Sequence, residues 1–259
     1  MLRIVWTFFR LGVLNELGYR ANFFIQLFQS LLELGAAIAG VAIVFSHTDE
    51  LGGWRQAELI ALLGVYFLVG GLIRTLIQPS MQRFMEQVRL GTLDFTLTKP
   101  EDAQLLVSIQ QVQIWKLTDV VLGVITLGVA LSRLGGVVGV GGALAFGVAL
   151  LAGGAIVYSF WLMLATCAFW FVRVENILVI FQSMYEAGRW PVGIYPGWLR
   201  LSLTFLVPVA FATTVPAEAL AGRLTMTTLF GALALALALL AASRLFWRTG
   251  LRRYSGASA

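Results

Sequence analysis

Glu33 is the only charged residue in the apolar run from Asn22 to Ser46. An ionised carboxylate halfway along such a run costs about 2.5–3.5 kcal/mol on insertion scales. It must therefore face protein, pair with a donor or take up a proton. Two roles fit it: a pathway residue that meets a cation, or a structural hydrogen bond between helices. Gly35, Ala36, Ala39 and Gly40 follow it at the small-residue spacing that allows close helix contact. Glu186 and Arg189, three residues apart, can pair on one helical face. With Gln182 and Glu33 they are the candidates for a translocation path or a helix interface.

Catalytic constellations are missing from the sequence. The lysines, Lys99 and Lys116, do not follow glycine as a phosphate-binding loop requires, so ATP hydrolysis is not expected of this chain. One histidine, His47, cannot supply the paired imidazoles of a zinc hydrolase. Cys167 lies alone in an apolar run and reads as a buried thiol. No G-x-S-x-G elbow occurs. Asp119, Glu175 and Glu186 form no constellation in the sequence. Neither an enzyme nor a metal site is expected.

The elements that must position these residues are membrane helices. Hydrophobic residues make up 59% of the chain and charged residues 12%, with a mean hydropathy of +0.87. Soluble domains carry about 25% charge, so too little is left here to coat a soluble core. The net charge of +5 is dispersed between apolar segments, which fits membrane orientation better than nucleic acid. About 20 apolar residues cross the hydrocarbon. The expected spans are 22–46, 57–77, 117–134, 143–172, 176–190 and 224–243, all within one domain covering 1–259. Met1–Arg20, with Trp6 and with Arg3 and Arg10 on one face, reads as an interfacial helix.

Parity decides the awkward region before the last span. Four crossings bring the chain back to the cytoplasm at Arg173, and the tail with Arg244, Arg248, Arg252 and Arg253 belongs there by the positive-inside rule. The region between therefore crosses once, and residues 191–222, punctuated by Pro191, Pro196, Pro208 and Pro216, must dip in and return. The alternative is one proline-kinked helix with a long outer loop. The dipping topology places both termini and thirteen of the 18 lysines and arginines in the cytoplasm.

Between spans two and three lies a polar island, Glu86–Pro100. Ser80–Leu90 is expected to be an amphipathic helix, capped by Gly91 in the left-handed conformation. Lys99-Pro100 then restarts a helix with Glu101 and Asp102 in its first turn. This element reads either as a rigid docking knob or as a solvated loop with interfacial helices.

Several stretches favour the docking role: RANFF at Arg20–Phe24, FSHTDELGGW at Phe45–Trp54, RLGTLDFTLTKP at Arg89–Pro100 and AFWFVRVEN at Ala168–Asn176. They continue through GRWPVGIYPGWLRLSLTFLVPVAFATTVPAEALAGR at Gly188–Arg223 to the terminal SRLFWRTGLRRYSGASA. Together and in this order, nearly end to end, the chain resembles a permease subunit of the ABC-2 class of ABC transporters. The similar branch is a bacterial one that pairs two related permeases with one ATPase. The resemblance implies an all-α membrane protein of six transmembrane helices with an N-terminal interfacial helix, a cytoplasmic coupling helix and a re-entrant outer segment before the last span. It also implies an ATPase-coupling set of Arg83, Glu86, Arg89, Gly91, Asp94 and Lys99. The implied partners are two copies of an ABC ATPase, which would hold ATP and Mg, a second related permease and the bilayer of the bacterial inner membrane. The implied function is ATP-driven transport, with export the expected direction, by alternating access. The rivals are a secondary carrier independent of an ATPase, which should show internal repeats and midplane charges, and a non-transporting assembly subunit.

Overall fold

The computed structural model describes residues 20–135, 138–171 and 175–254. The interfacial helix expected over Met1–Arg20 falls outside the described residues in all but its last position, and Arg173 also falls outside them. All regular elements among the described residues are helical. Five helices are long and apolar enough to cross a bilayer, and a sixth crossing is reached only if one bent pair counts as a span.

Helix α1 covers Arg20–Phe45. It is the least embedded span, leaving Phe24, Ile25, Phe28 and Ile43 exposed. A turn follows in which Gly52 and Gly53 take positive φ, and Leu51 and Trp54 exchange backbone hydrogen bonds of 3.0 Å.

Helix α2 is one rod, Gln56–Arg89, 34 residues long. The expected break near residue 77, with a separate helix from Ser80, does not occur. Instead the rod passes through a π turn at Ile73–Ile77 and continues. Proline explains the detour: Pro79 has no N–H to donate to the carbonyl four residues back, Thr75. That carbonyl accepts from the Gln113 N–H at 2.9 Å instead, so the helix widens locally without ending.

The polar island closes as a tight elbow. Gly91 has φ +69°, the left-handed cap expected of it, and the Thr92 N–H reaches back to the Gln87 carbonyl at 2.9 Å. Helix α3, Asp94–Leu97, and helix α4, Ala103–Ile109, complete the elbow. Asp102 stands one position before the first turn where it was expected, as the N-cap of α4, accepting from the Leu105 N–H at 3.2 Å.

Helix α5, Leu117–Arg133, packs against α2 more extensively than any other pair of elements. Glycine makes this possible. A Cβ on Gly123 would collide with the Leu68 backbone, and one on Gly64 would sit 2.7 Å from the Leu127 side chain. Helix α6, Val140–Thr166, lies against the last span, α11, Met226–Leu251.

Between them run α7, Glu175–Tyr185, then short helices α8, Gly197–Leu201, α9, Val209–Ala212, and α10, Thr214–Leu220. The expected fifth span, 176–190, is thus an 11-residue helix followed by a 3-10 turn at Glu186–Arg189. After it the chain bends by 69° between Gly197–Leu206 and Val209–Leu220, at Pro208.

At the Arg89 end of α2 an aromatic knot fixes the rod. Phe84 meets Trp247 at 5.0 Å and Phe169 at 5.5 Å between ring centroids, with Phe84 and Trp247 both buried. Such pairs add about 0.5–1.5 kcal/mol beyond their buried area.

Candidate functional site

Glu33 has partners. Arg74 on α2 lies 3.9 Å from Glu33 and 2.9 Å from Asp119 on α5. Asp119 is 1% exposed and also accepts from the Ser30 hydroxyl. Ser30 in turn accepts from the Gln26 side chain at 3.2 Å and lies 3.4 Å from the Thr118 hydroxyl. Three spans therefore meet through one cation between two carboxylates. Two charges inside otherwise apolar runs were the available signal, since intramembrane charges pair with one another. The sequence reading placed Arg74 and Asp119 at span ends and did not join them to Glu33.

The other three path candidates, on α7 and the turn after it, gather against α2. Gln182 of α7 accepts from Gln78 Nε2 at 3.0 Å. Arg189 donates from Nε to the Tyr66 hydroxyl at 3.2 Å and lies 5.4 Å over its ring, so its main contact is Tyr66 rather than the expected Glu186. Tyr185 stacks on Tyr66 at 5.0 Å and donates to the Tyr66 carbonyl at 2.9 Å. Glu186 shares a small cavity with Arg74, Gln78 and Gln182. Arg74 therefore has one flank toward Asp119 and Glu33 and the other toward this cavity.

The coupling candidates fall into two groups. Arg83, Glu86 and Arg89 stand on the end of the α2 rod, where Arg83 and Glu86 pair at 2.9 Å, and all three line a groove with Gln111 and Val179. Gly91, Asp94 and Lys99 lie on the elbow beyond it. The tip exposes Leu90 and Phe95, the latter 76%. The elbow is held from behind by a contact that the sequence did not suggest: Arg244 of α11 grips the Asp102 carboxylate with both terminal nitrogens and reaches Gln104 at 2.7 Å. Gln104 and Ser108 both reach the Tyr158 hydroxyl on α6. The Arg244 guanidinium holds the Asp102 carboxyl below its ordinary value.

On the far side, Arg223 donates to Glu58 at 2.5 Å and stacks 5.3 Å over Trp54, while the Arg55 N–H donates to the same Glu58 oxygen at 2.8 Å. His47 stays exposed there, bonded to Ser46. No group of three or more potential metal ligands occurs among the described residues.

These features define a polytopic helical membrane protein with a charged interior and a projecting polar elbow. A family model described as "ABC-2 family transporter protein" matches residues 31–258. The chain belongs to that family, as a multi-pass transporter permease. No curated protein and no solved structure matches it.

Proposed function

We propose that the chain is the membrane subunit of an ATP-driven exporter in the bacterial cytoplasmic membrane, with both termini in the cytoplasm. Two copies of a separate ABC ATPase bind ATP and Mg and dock from the cytoplasm, and a second permease completes the translocator. Substrate moves by alternating access. The observation carrying this reading is the α2 rod with its elbow. Its 34 residues span about 51 Å at 1.5 Å each, whereas the hydrocarbon is about 30 Å thick. The excess projects as a rigid lever whose tip exposes Leu90 and Phe95 beside Asp94 and Lys99. An apolar anchor rimmed by opposite charges suits a protein groove. Arg83, Glu86 and Arg89 occupy the lever's stem.

Support for the dipping outer segment comes from its ends. Gly52 lies against Ile194, and Trp54 against Arg223. Both ends of 194–223 thus meet the same short loop after α1. The segment's middle is tucked against α6, where a Cβ on Gly153 would collide with the Phe211 carbonyl. Irregular backbone at membrane depth is tolerated where protein buries it.

Docking is tested by co-purifying the cognate ABC ATPase with the Asp94→Lys, Phe95→Asp double variant. Capture should fall by about tenfold or more, a loss of about 1.4 kcal/mol or greater. Thermal stability should fall by no more than about 1 kcal/mol, because Phe95 is exposed and Asp94 only half-buried. Capture at the wild-type level would remove the elbow as the docking element.

A further inference from the structure

The last span, α11, sorts its residues onto two faces. Leu229, Ala232, Ala236, Ser243 and Trp247 are buried, and Ala232 and Ala236 pack against Ala152 and Ile156 of α6. Met226, Phe230, Leu237 and Leu245 are 63–68% exposed. At about 100° of rotation per residue, these four share the opposite face with Arg248 and Arg252, all six within an arc of about 100°. Both arginines are exposed, and Arg252 keeps helical dihedrals as the C-cap, so the rotation carries through to it. Along the axis Phe230 and Arg248 are about 27 Å apart, and the hydrocarbon is about 30 Å thick. The apolar stripe therefore spans the bilayer interior, and the arginines stand at its edge.

Charge decides what covers that edge. Arg244, at the rim of the same face, has a carboxylate: it grips Asp102 with both terminal nitrogens. Arg248 and Arg252 form no ion pair among the described residues. One turn apart, their Cβ atoms lie about 6 Å from each other. Two guanidiniums so spaced suit a phosphodiester, whose oxygens accept the planar fork of arginine donors. A second copy of the chain suits them poorly. In a twofold pair whose axis runs along the membrane normal, residues at one depth meet their own copies, and arginine would face arginine.

Resting on the permease reading only for the side of the membrane, we propose that this end of α11 binds an anionic phospholipid of the cytoplasmic leaflet. The phosphodiester bridges Arg248 and Arg252, and the acyl chains lie along Leu245 and Leu237. Cations at the cytoplasmic edge of a span attract anionic headgroups by about fivefold each, which is about 1 kcal/mol at 1.4 kcal/mol per tenfold. Two arginines on one face therefore select the anionic lipid about 25-fold. The bound lipid sits one turn from the Arg244–Asp102 clasp that holds the elbow.

The experiment uses the full chain with Cys167→Ser, in vesicles and without ATPase. A fluorophore on Leu245→Cys is quenched by mixtures of phosphatidylglycerol and phosphatidylcholine, one of the two carrying brominated chains. Phosphatidylglycerol should be preferred there about 25-fold. Phe230→Cys, at the other end of the same stripe, should show no preference. Arg248→Gln and Arg252→Gln should each lower the preference about fivefold and together abolish it. Salt at about 1 M, which shortens the screening length to about 3 Å, should also lower it by about fivefold or more. That arm decides the matter if the glutamine variants fail to insert. Free glycerol phosphate in excess should change nothing. A preference below about fivefold overturns the proposal, as does one that survives the loss of both arginines or persists undiminished in high salt. Displacement by glycerol phosphate would assign the arginines to a soluble phosphate instead. Quenching by neither lipid would mean that a second copy covers the face. Capture of the ATPase by the elbow is measured separately, so failure of the lipid site is distinguishable from failure of the permease reading.

Discussion

A charge inside a membrane protein is only as stable as its neighbours make it, and Arg74 has two unequal ones. Asp119 is buried, 2.9 Å away and bonded to Ser30, whereas Glu33 is 3.9 Å away with its side chain 44% exposed. Removing one member of a buried pair strands the other, at about 3–5 kcal/mol. Asp119→Ala should therefore lower unfolding stability in detergent by about that amount, while Glu33→Gln should cost about 1 kcal/mol or less, as an exposed pair does. The Arg74→Met, Asp119→Leu double variant should recover most of the loss, because neither charge of the buried pair is then left without the other. Equal losses for Glu33→Gln and Asp119→Ala would show that Glu33 is the principal counter-ion. The sequence made Glu33 conspicuous by isolating it. It concealed Arg74 and Asp119 by placing each near the end of an apolar run, where a charge normally reaches water.

Elements were legible where hydropathy alone forms them. The first and last spans, expected at 22–46 and 224–243, are found as Arg20–Phe45 and Met226–Leu251. The end of α2 was misread because a proline marks a break only when the carbonyl it cannot serve finds no other donor, and Gln113 provides one from 34 residues downstream. The clasp between the elbow and α11 was hidden for the same reason, since Asp102 and Arg244 are 142 residues apart. Its pH response follows from the depressed Asp102 carboxyl. Free, the group titrates near 3.8; paired with Arg244 it titrates lower. The clasp's contribution is therefore fully present above pH 3.8 and is lost as pH falls through the lower, paired value. Both partners are more than a third exposed, so its worth is about 1 kcal/mol at most. Asp102→Asn should melt below wild type at pH 7, and the two curves should converge as the pH is lowered past the carboxylate range. A difference that persists in acid would assign the effect to the α4 cap rather than to the ion pair.

For the whole molecule, topology turns on the segment between α7 and α11. Prolines and aromatics there announced an irregular element but could not fix its direction, because that depends on what its ends touch. Ile194 lies beside Gly52 and Arg223 beside Trp54, contacts that support the proposed dip. Phe205 between them is 71% exposed on the surface of the helix bundle, where lipid is the expected neighbour. In the Cys167→Ser background, single cysteines replacing Asp49, Gly193 and Ala221 should all react with a charged reagent added outside, and one replacing Phe95 only from the cytoplasm. Phe205→Cys should resist charged reagents from either face and accept a lipid-soluble one. Gly193→Cys and Ala221→Cys labelling from opposite faces would mean that 194–221 crosses completely. The α11 tail, with its arginines, would then emerge on the side that the positive-inside rule disfavours unless α7 failed to cross. One pair of labelling experiments therefore tests the dip and the count of crossings together, since changing either one alone reverses the side on which α11 ends.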